Sequence, residues 1–126
     1  MIFFSAVVSP SVFASLNSKG SSKFLRTIFP RMFLFGFVIS LIAFILTILS
    51  NDLFNSIVLV IIGLSFLINR NYLTPLINNF RDQELEGNSK AAKNFKIMHL
   101  LSVLLFIINF FLLILVIVLN YINHNL

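Results

Sequence analysis

Long apolar runs separated by short polar segments dominate the chain. Because about 20 helical residues with a rise of 1.5 Å cross a hydrocarbon core about 30 Å thick, such runs predict transmembrane helices. We predict an all-α protein, an integral membrane four-helix bundle of up-down topology that forms a single transmembrane domain over residues 1–126. The spans are predicted at about 1–17, 31–50, 52–69 and 96–120, with connections at 18–30 and 70–95.

The first and third predicted spans are the shortest. The third is expected to gain length by continuing as a helix past Asn69 and Arg70, whose side chains can snorkel to the membrane interface. The first is interrupted by Pro10 and is expected to be short or truncated. No Lys or Arg precedes this stretch, and a signal peptide typically has a positive start, so a transmembrane helix is favoured over a signal peptide.

The longer connection has helix signals of its own. Thr74 is expected to cap a helix whose first residue is Pro75, because proline is favoured at that position. Gly87 and Asn88 are expected to break this helix, and Ser89 is the predicted N-cap of the next one. That last helix is predicted to run without interruption into the fourth span.

Every basic residue lies between the first and second or between the third and fourth predicted spans. Since Lys and Arg in short loops are retained on the cytoplasmic side, both connections are predicted to be cytoplasmic. Both chain termini and the turn at residues 50–52 are then predicted outside, in the periplasm, for a multi-pass protein of the bacterial inner (plasma) membrane. Four basic residues are expected to attract anionic lipid headgroups: Lys19, Lys23, Arg26 and Arg31.

Small and hydroxyl side chains share one face of the second span. At 100° per residue, about an 80° sector contains all five of them: Gly36, Ser40, Ala43, Thr47 and Ser50. Helices associate in lipid where small residues let backbones approach and where hydroxyls bond across. We interpret this face as a helix-packing surface in preference to a pathway for a polar solute.

The fourth span has a polar stripe in a sector of about 80°, formed by His99, Ser102, Asn109 and Asn120. Asn109 lies near the middle of the span, where an unpaired amide costs several kcal/mol. The stripe is therefore expected to face protein, and Asn109 is expected to bond a partner on another helix, with Ser40 or Thr47 as candidates.

Composition agrees with a membrane solvent. The apolar share is 59% and the charged share 10%, whereas a soluble domain is about half apolar and about a quarter charged. The absence of cysteine excludes disulfides, thiolate nucleophiles and cysteine metal sites. The net charge of +5 does not predict nucleic-acid binding, because the basic residues flank apolar spans and form no dense basic face.

The sequence has no hydrolase, phosphate-loop or zinc motif, and no enzymatic activity is predicted. Three of the four acidic residues, Asp82, Glu84 and Glu86, stand among Arg81 and Lys90. We interpret them as surface ion pairs in a solvated loop.

His99 is the residue with the widest chemistry, because imidazole binds haem iron or copper and transfers protons near neutral pH. A metal site normally needs at least two ligands, and His124 lies at the other end of the same predicted helix. No cofactor is therefore predicted. The alternative hypothesis is a haem- or copper-binding membrane subunit in which a homo-oligomer supplies a second imidazole.

Four stretches are familiar in their order and spacing. They are Phe3-Phe4-Ser5 with Val7-Val8-Ser9-Pro10 and Phe13; Lys23-Phe24-Leu25-Arg26 with Ile28-Phe29-Pro30-Arg31; Asn69-Arg70 with Leu73-Thr74-Pro75, Ile77-Asn78, Arg81-Asp82 and Gly87; and Phe95 with His99 and Ser102-Val103. Together they resemble bacterial members of the transmembrane protein 205-like family (domain of unknown function 4149) over nearly the whole chain.

The resemblance implies a four-helix membrane protein without an established biochemical activity. It also implies a longer first helix than this chain has, so a truncated start is expected. A shared site, if the family has one, is expected at its recurring positions: Pro10, Pro30-Arg31, Pro75, Arg81-Asp82, His99 and Ser102. We expect a non-enzymatic protein of the lipid bilayer, either structural or involved in transport or sensing of a small solute.

Overall fold

The computed structural model describes residues 3–125, and these residues form helices and no strand. A π-helical turn, Phe4–Val8, leads into α1, Ser9–Ser15, and the two together are called the N-terminal helix. The next helix is α2, Ser18–Leu49. A second π-helical turn, Asn69–Leu73, joins α3, Leu53–Ile68, to α4, Thr74–Leu85. The last helix is α5, Ser89–Asn125.

Three of these helices are long and apolar enough to cross a membrane. They are α2, α5 and the continuous helix Leu53–Leu85, which we call the central helix. The N-terminal helix has five π-helical and seven α-helical residues, a length of about 18 Å that is well below a hydrocarbon thickness of about 30 Å. The predicted all-α bundle with a short first helix is confirmed.

The central helix continues through the position where the sequence predicted a new helix start. Thr74 has helical backbone angles and does not cap a helix. Pro75 has no N–H to give to the preceding turn, and in that turn the Asn69 carbonyl accepts both from the Thr74 backbone N–H and from the Thr74 hydroxyl at 2.7 Å. The prediction that Thr74 is an N-cap was wrong, because the widened turn accommodates proline without ending the helix.

The turn before α5 also differs by one residue from the prediction. Gly87 has a φ of +96° and ends α4 as expected. The cap of α5 is Asn88, whose Oδ1 accepts hydrogen bonds from the backbone N–H groups of Lys90 at 3.1 Å and Ala91 at 3.3 Å. Ser89 is the first residue of α5 and was wrongly predicted as its cap.

The central helix lies between α2 and α5, and no described Cα atom of α2 comes within 8 Å of one in α5. Small residues of α2 lie at its contact with α3. A Cβ atom on Gly36 would lie 2.8 Å from the Phe66 ring, and one on Gly63 would lie 3.0 Å from the Ser40 hydroxyl oxygen. Thr47 accepts a hydrogen bond from the Ser56 hydroxyl at 2.9 Å. Backbones can approach closely here because both helices contribute small side chains.

On its other side the central helix binds α5 through buried polar groups. The Asn109 amide donates to the Ser65 hydroxyl at 3.1 Å, so its partner is neither of the two α2 residues that the sequence suggested. The Ser102 hydroxyl donates to Asn69 Oδ1 at 2.5 Å. Asn69 is fully buried, so its predicted snorkelling to the interface was also wrong. These side chains lie inside the bundle because pairing removes the penalty of placing an amide in hydrocarbon.

The outer faces of the long helices are apolar. Large side chains with more than 60% of their surface exposed occur on each of them, including Phe35, Leu49, Leu53, Phe111 and Ile117. A water-soluble monomer avoids such continuous apolar surface. The arrangement, polar groups inside and apolar groups outside, is what a lipid solvent favours.

Candidate functional site

A cavity of about 690 Å³ lies at the end of the bundle that carries the basic residues. The volume is within the range of about 300–1,000 Å³ that is usual for ligand sites. Its walls come from the N-terminal helix, α2, α4 and α5. The lining side chains are Phe4, Ser9, Phe13, Ser18, Ser22, Leu25, Arg26, Phe29, Met32, Phe33, Thr74, Ile77, Asn78, Arg81, Phe95, His99, Ser102, Val103 and Phe106.

Two arginines mark the charged end of this cavity. Arg26 of α2 makes a bidentate ion pair with Asp82 of α4, with N···O distances of 2.5 and 3.0 Å. Arg81 pairs with Glu84, one turn further along α4, at 2.6 Å. The Arg81 guanidinium carbon also lies 5.4 Å from the centroid of the Phe95 ring, a cation–π contact between α4 and α5.

The Arg26–Asp82 pair lies beyond the apolar parts of both helices. Hydrogen bonds from Arg26, with its positive charge as a smaller contribution, lower the pKa of the Asp82 carboxyl below its ordinary value. The hydrogen bonds to Asp82 likewise raise the pKa of the Arg26 guanidinium. Both groups are therefore charged at neutral pH, and the pair joins α2 to α4 at the charged end.

The opposite end of the cavity is aromatic. Phe4 of the N-terminal helix meets Phe29 of α2 edge to face at 5.3 Å, and Phe29 stacks on Phe33 at 6.2 Å. Phe106 closes this end on the α5 side. From Phe95 to Phe106 the cavity follows α5 over 11 residue-to-residue steps, or about 16 Å at 1.5 Å per step.

Polar groups line the cavity between its two ends. The Thr74 and Ser102 hydroxyls both donate to Asn69, to its carbonyl at 2.7 Å and to its Oδ1 at 2.5 Å. Their oxygens keep lone pairs that can accept from a ligand. The His99 ring lies parallel to the Phe95 ring with centroids 5.9 Å apart. His99 is an exposed residue, so its imidazole is accessible from the cavity.

Of the helices that form the walls of the cavity, the N-terminal helix makes close backbone contact with α2 alone. The N-terminal helix runs antiparallel to the start of α2, with Phe4 against Phe29 and the Ser21 hydroxyl donating to the Val12 carbonyl at 3.4 Å. It reaches only as far as the beginning of the long apolar segment of α2. No described Cα atom of this helix comes within 8 Å of α5, although both line the same cavity. Around the cavity, the N-terminal helix contacts α2, α2 contacts α4 and α4 contacts α5, so the N-terminal helix and α5 are the neighbouring walls without close backbone contact.

The structure brings three of the predicted site residues, Arg81, His99 and Ser102, into this cavity. Asp82 is next to it as the partner of Arg26. Asp82 and Glu84 therefore form ion pairs as expected, but they lie on helix α4 instead of in a loop, and the partner of Asp82 is on another helix.

The remaining predicted site residues lie elsewhere. Pro10, Arg31 and Pro75 are exposed outside the cavity, as are the basic residues Lys19 and Lys23. Gly36, Ser40, Thr47 and Asn109 lie at contacts between helices. Their positions are those of packing residues.

The cavity was not predicted from the sequence, although the spacing of its lining residues on α5 could have indicated it. At 100° per residue, one sector of about 60° on α5 contains four lining residues, namely Phe95, His99, Ser102 and Phe106. The predicted polar stripe included only two of these. The role of Arg26 could not be found this way, because its distance from Asp82 is set by the packing of α2 against α4.

The described residues contain no group of three or more His, Cys, Asp or Glu side chains that could hold a metal ion. Among the side chains that line the cavity, His99 is of a type that commonly binds metal ions. The His124 side chain lies outside the described part of the chain.

The family to which the chain belongs follows from a match to a known protein family. The family model described as Domain of unknown function (DUF4149) matches residues 1–86. The chain belongs to this family. The DUF4149 match covers the N-terminal helix, α2 and the central helix, which contribute three walls of the cavity. Comparison with curated proteins and with solved structures found no match.

Proposed function

We propose that this DUF4149 protein is a non-enzymatic, multi-pass membrane protein that binds a small, mainly apolar molecule in its cavity, as part of transport or sensing. The observation that supports this most is the cavity itself, about 690 Å³ in volume, with aromatic residues at one end and arginines at the other. Pockets with apolar walls and a few convergent polar groups are the usual form of a ligand site.

The polar groups of the cavity favour binding over catalysis. The carboxylates of Asp82 and Glu84 are engaged by arginines. The Ser102 hydroxyl donates its proton to Asn69, and His99 stacks on Phe95. A hydrolytic site needs a nucleophile whose proton goes to a base, and this arrangement directs the Ser102 proton to an amide oxygen instead.

Binding is tested by comparing two tryptophan variants purified in mild detergent and examined by native mass spectrometry. Val103→Trp places a large ring in the cavity, whereas Ile117→Trp changes an exposed position of the same helix. We expect the wild type and Ile117→Trp to carry a co-purifying small molecule at near-equal stoichiometry and Val103→Trp to lose it. Equal occupancy in all three proteins, or none in any, would contradict the proposal.

The proposal includes the inner membrane as location, with the basic ends of the helices in the cytoplasm and both termini outside. Reporter fusions after Asn51 and at Leu126 should both give the outer-side signal, and a cytoplasmic signal at either would overturn this topology. A fusion at the N-terminus tests separately whether this terminus lies outside. A separate test is needed because Phe4, near the start of the described N-terminal helix, lies beside Phe29 of α2.

A second candidate function is haem or copper binding by His99, favoured by the position of this imidazole on the cavity wall. A second copy of the chain would supply the further ligand. The visible absorption spectrum and the metal content of the purified protein test it, with His99→Ala as the comparison. A colourless and metal-free wild-type preparation would remove this candidate.

A further inference from the structure

We propose that the cavity receives one anionic phospholipid from the leaflet at the basic end of the bundle, through the gap between the N-terminal helix and α5. The phosphate would lie against Arg26 and Arg81, and an acyl chain would extend toward Phe106. This inference rests on the proposed function, because it names the chemical class of the ligand that the cavity binds.

The first argument is the order of polarity along the walls. On α2 the lining passes from Arg26 to Phe33, and on α5 it passes from Phe95, beside Arg81, to Phe106. Both helices therefore become apolar in the same direction, away from the charged end. A neutral apolar solute does not need this gradient, whereas an amphiphile with a charged head and an apolar chain matches it at both ends.

The second argument is depth. The lining of α5 extends about 16 Å along the helix axis, which is about half of a hydrocarbon core about 30 Å thick. The cavity thus has the depth of one leaflet. A lipid can enter it sideways while its headgroup stays at the same level as those of its neighbours in the bilayer.

The third argument is the gap between the N-terminal helix and α5. Arg26 and Asp82 join α2 to α4, while no described Cα atom of the N-terminal helix comes within 8 Å of α5. The entry would therefore lie between two helices that carry exposed apolar side chains outside the cavity, including Val7 and Leu104. A ligand that reaches it from within the bilayer keeps its acyl chains in hydrocarbon throughout.

The fourth argument is the hydrogen-bonding capacity at the charged end. A guanidinium has five N–H donors in a planar fork that suits phosphate. The ion pair with Asp82 uses two donor atoms of Arg26, and that with Glu84 uses one of Arg81. Both arginines therefore keep donors for a phosphate, and Asn78 of α4 and His99 of α5 add further polar groups to the lining.

The test uses fluorescence, because the chain has no tryptophan. Phe106→Trp places the probe at the apolar end of the cavity, and Ile107→Trp places it at nearly the same depth on an exposed position of α5. Each variant is reconstituted in phosphatidylcholine vesicles that contain increasing fractions of chain-brominated phosphatidylglycerol. A parallel series contains chain-brominated phosphatidylcholine.

For Phe106→Trp, half-maximal quenching should occur at a lower fraction of brominated phosphatidylglycerol than of brominated phosphatidylcholine. We expect the two fractions to differ at least about fivefold, which is the preference expected from one basic residue. For Ile107→Trp the two fractions should agree within twofold. The same preference at both positions would overturn the inference, since it would show a general surface effect. Equal quenching of Phe106→Trp by both lipids, if stronger than for Ile107→Trp, would also overturn it and leave the proposed binding function intact.

Charge variants identify the headgroup contact. In the Phe106→Trp background, Arg81→Gln should reduce the preference for phosphatidylglycerol about fivefold, while Lys93→Gln, an exposed charge outside the cavity, should leave it unchanged. Arg81 is the better choice because its acidic partner lies on its own helix, whereas Arg26→Gln also removes the ion pair between α2 and α4. An unchanged preference in Arg81→Gln, with wild-type helicity by circular dichroism, would refute the headgroup assignment. Millimolar inorganic phosphate should not restore the fluorescence, and full restoration would assign the site to free anions instead of lipid.

Discussion

Replacing Gly36 with alanine should reveal how closely α2 and α3 approach each other. The new Cβ atom would lie 2.8 to 3.0 Å from three atoms at the tip of the Phe66 ring, whereas carbon atoms in favourable contact are about 3.5–4.0 Å apart. The ring has little room to move, because Phe66 is buried and its centroid lies 6.4 Å from that of Phe33. The substitution therefore requires a backbone shift between the two helices.

Two opposing effects set the magnitude of this change. Overpacking a well-filled interior costs about 1–3 kcal/mol, while alanine is favoured over glycine inside a helix by about 1 kcal/mol. Gly36→Ala should accordingly lower the free energy of unfolding by up to about 2 kcal/mol in the wild-type background. In the Phe66→Leu background the ring tip is absent, and the same substitution should become neutral or stabilising.

The assay is reversible unfolding in mixed micelles, with increasing dodecyl sulfate and helicity followed by circular dichroism. The four proteins of the cycle, wild type, Gly36→Ala, Phe66→Leu and the double variant, give the coupling free energy directly, and about 1–3 kcal/mol is expected. The same effect of alanine in both backgrounds would refute the proposed contact. Stabilisation by Gly36→Ala alone would show that the helices are further apart than the structure has them.

Three further predictions concern single side chains. Asn109→Leu should reduce stability in the same assay by about 0.6 kcal/mol, and by at most about 1.7 kcal/mol, the range for hydrogen bonds between membrane helices. Arg26 lowers the pKa of Asp82, so the ion pair should stabilise the protein at pH values above the ordinary carboxyl pKa. This stabilisation should be lost as the pH falls through the lowered pKa. In Asp82→Asn the free energy of unfolding should lack this pH dependence. Asn88→Ala should destabilise α5 by about 1 kcal/mol, whereas Ser89→Ala should change stability by less than about 0.5 kcal/mol.

The features that the sequence predicted well are those that one helix determines alone. The face of α2 that contains Gly36 and Ser40 follows from a rotation of 100° per residue, and the structure places this face against α3. The partner could not be predicted in the same way. Phe66 fills the space over Gly36 because of the register between α2 and α3. No local sequence pattern specifies that register.

The partner of Asn109 shows the same limit. Its position near the middle of an apolar span required a hydrogen-bonding partner on another helix, and the structure has one. The candidates suggested from the sequence were on α2, but α5 packs against the central helix, where Ser65 lies. Asn109 needs a hydrogen bond because its surroundings are hydrocarbon, whereas the identity of its partner depends on which helix packs against α5.

Helix ends were predicted from residue preferences that neighbouring residues can share. Asparagine and serine are similarly favoured as N-caps, and Asn88 and Ser89 are adjacent, so the position was missed by one residue. Thr74 and Pro75 have the composition of a helix start, yet the helix continues through them. Leu73 is almost completely buried there, and packing on both sides of this turn outweighs the local preference.

The cavity occurs where the hydrogen-bonded pairs of buried polar side chains between the central helix and its neighbours end. Along the membrane interior, buried polar groups of this helix bind partners on α2 or α5, as Ser56 does with Thr47 and Ser65 with Asn109. The last such pair toward the basic end joins Asn69 to Ser102. Beyond it the neighbouring walls are held by the Arg26–Asp82 ion pair and the aromatic rings, and the short N-terminal helix does not reach α5. A ligand that enters between the N-terminal helix and α5, as proposed, would therefore break none of those pairs.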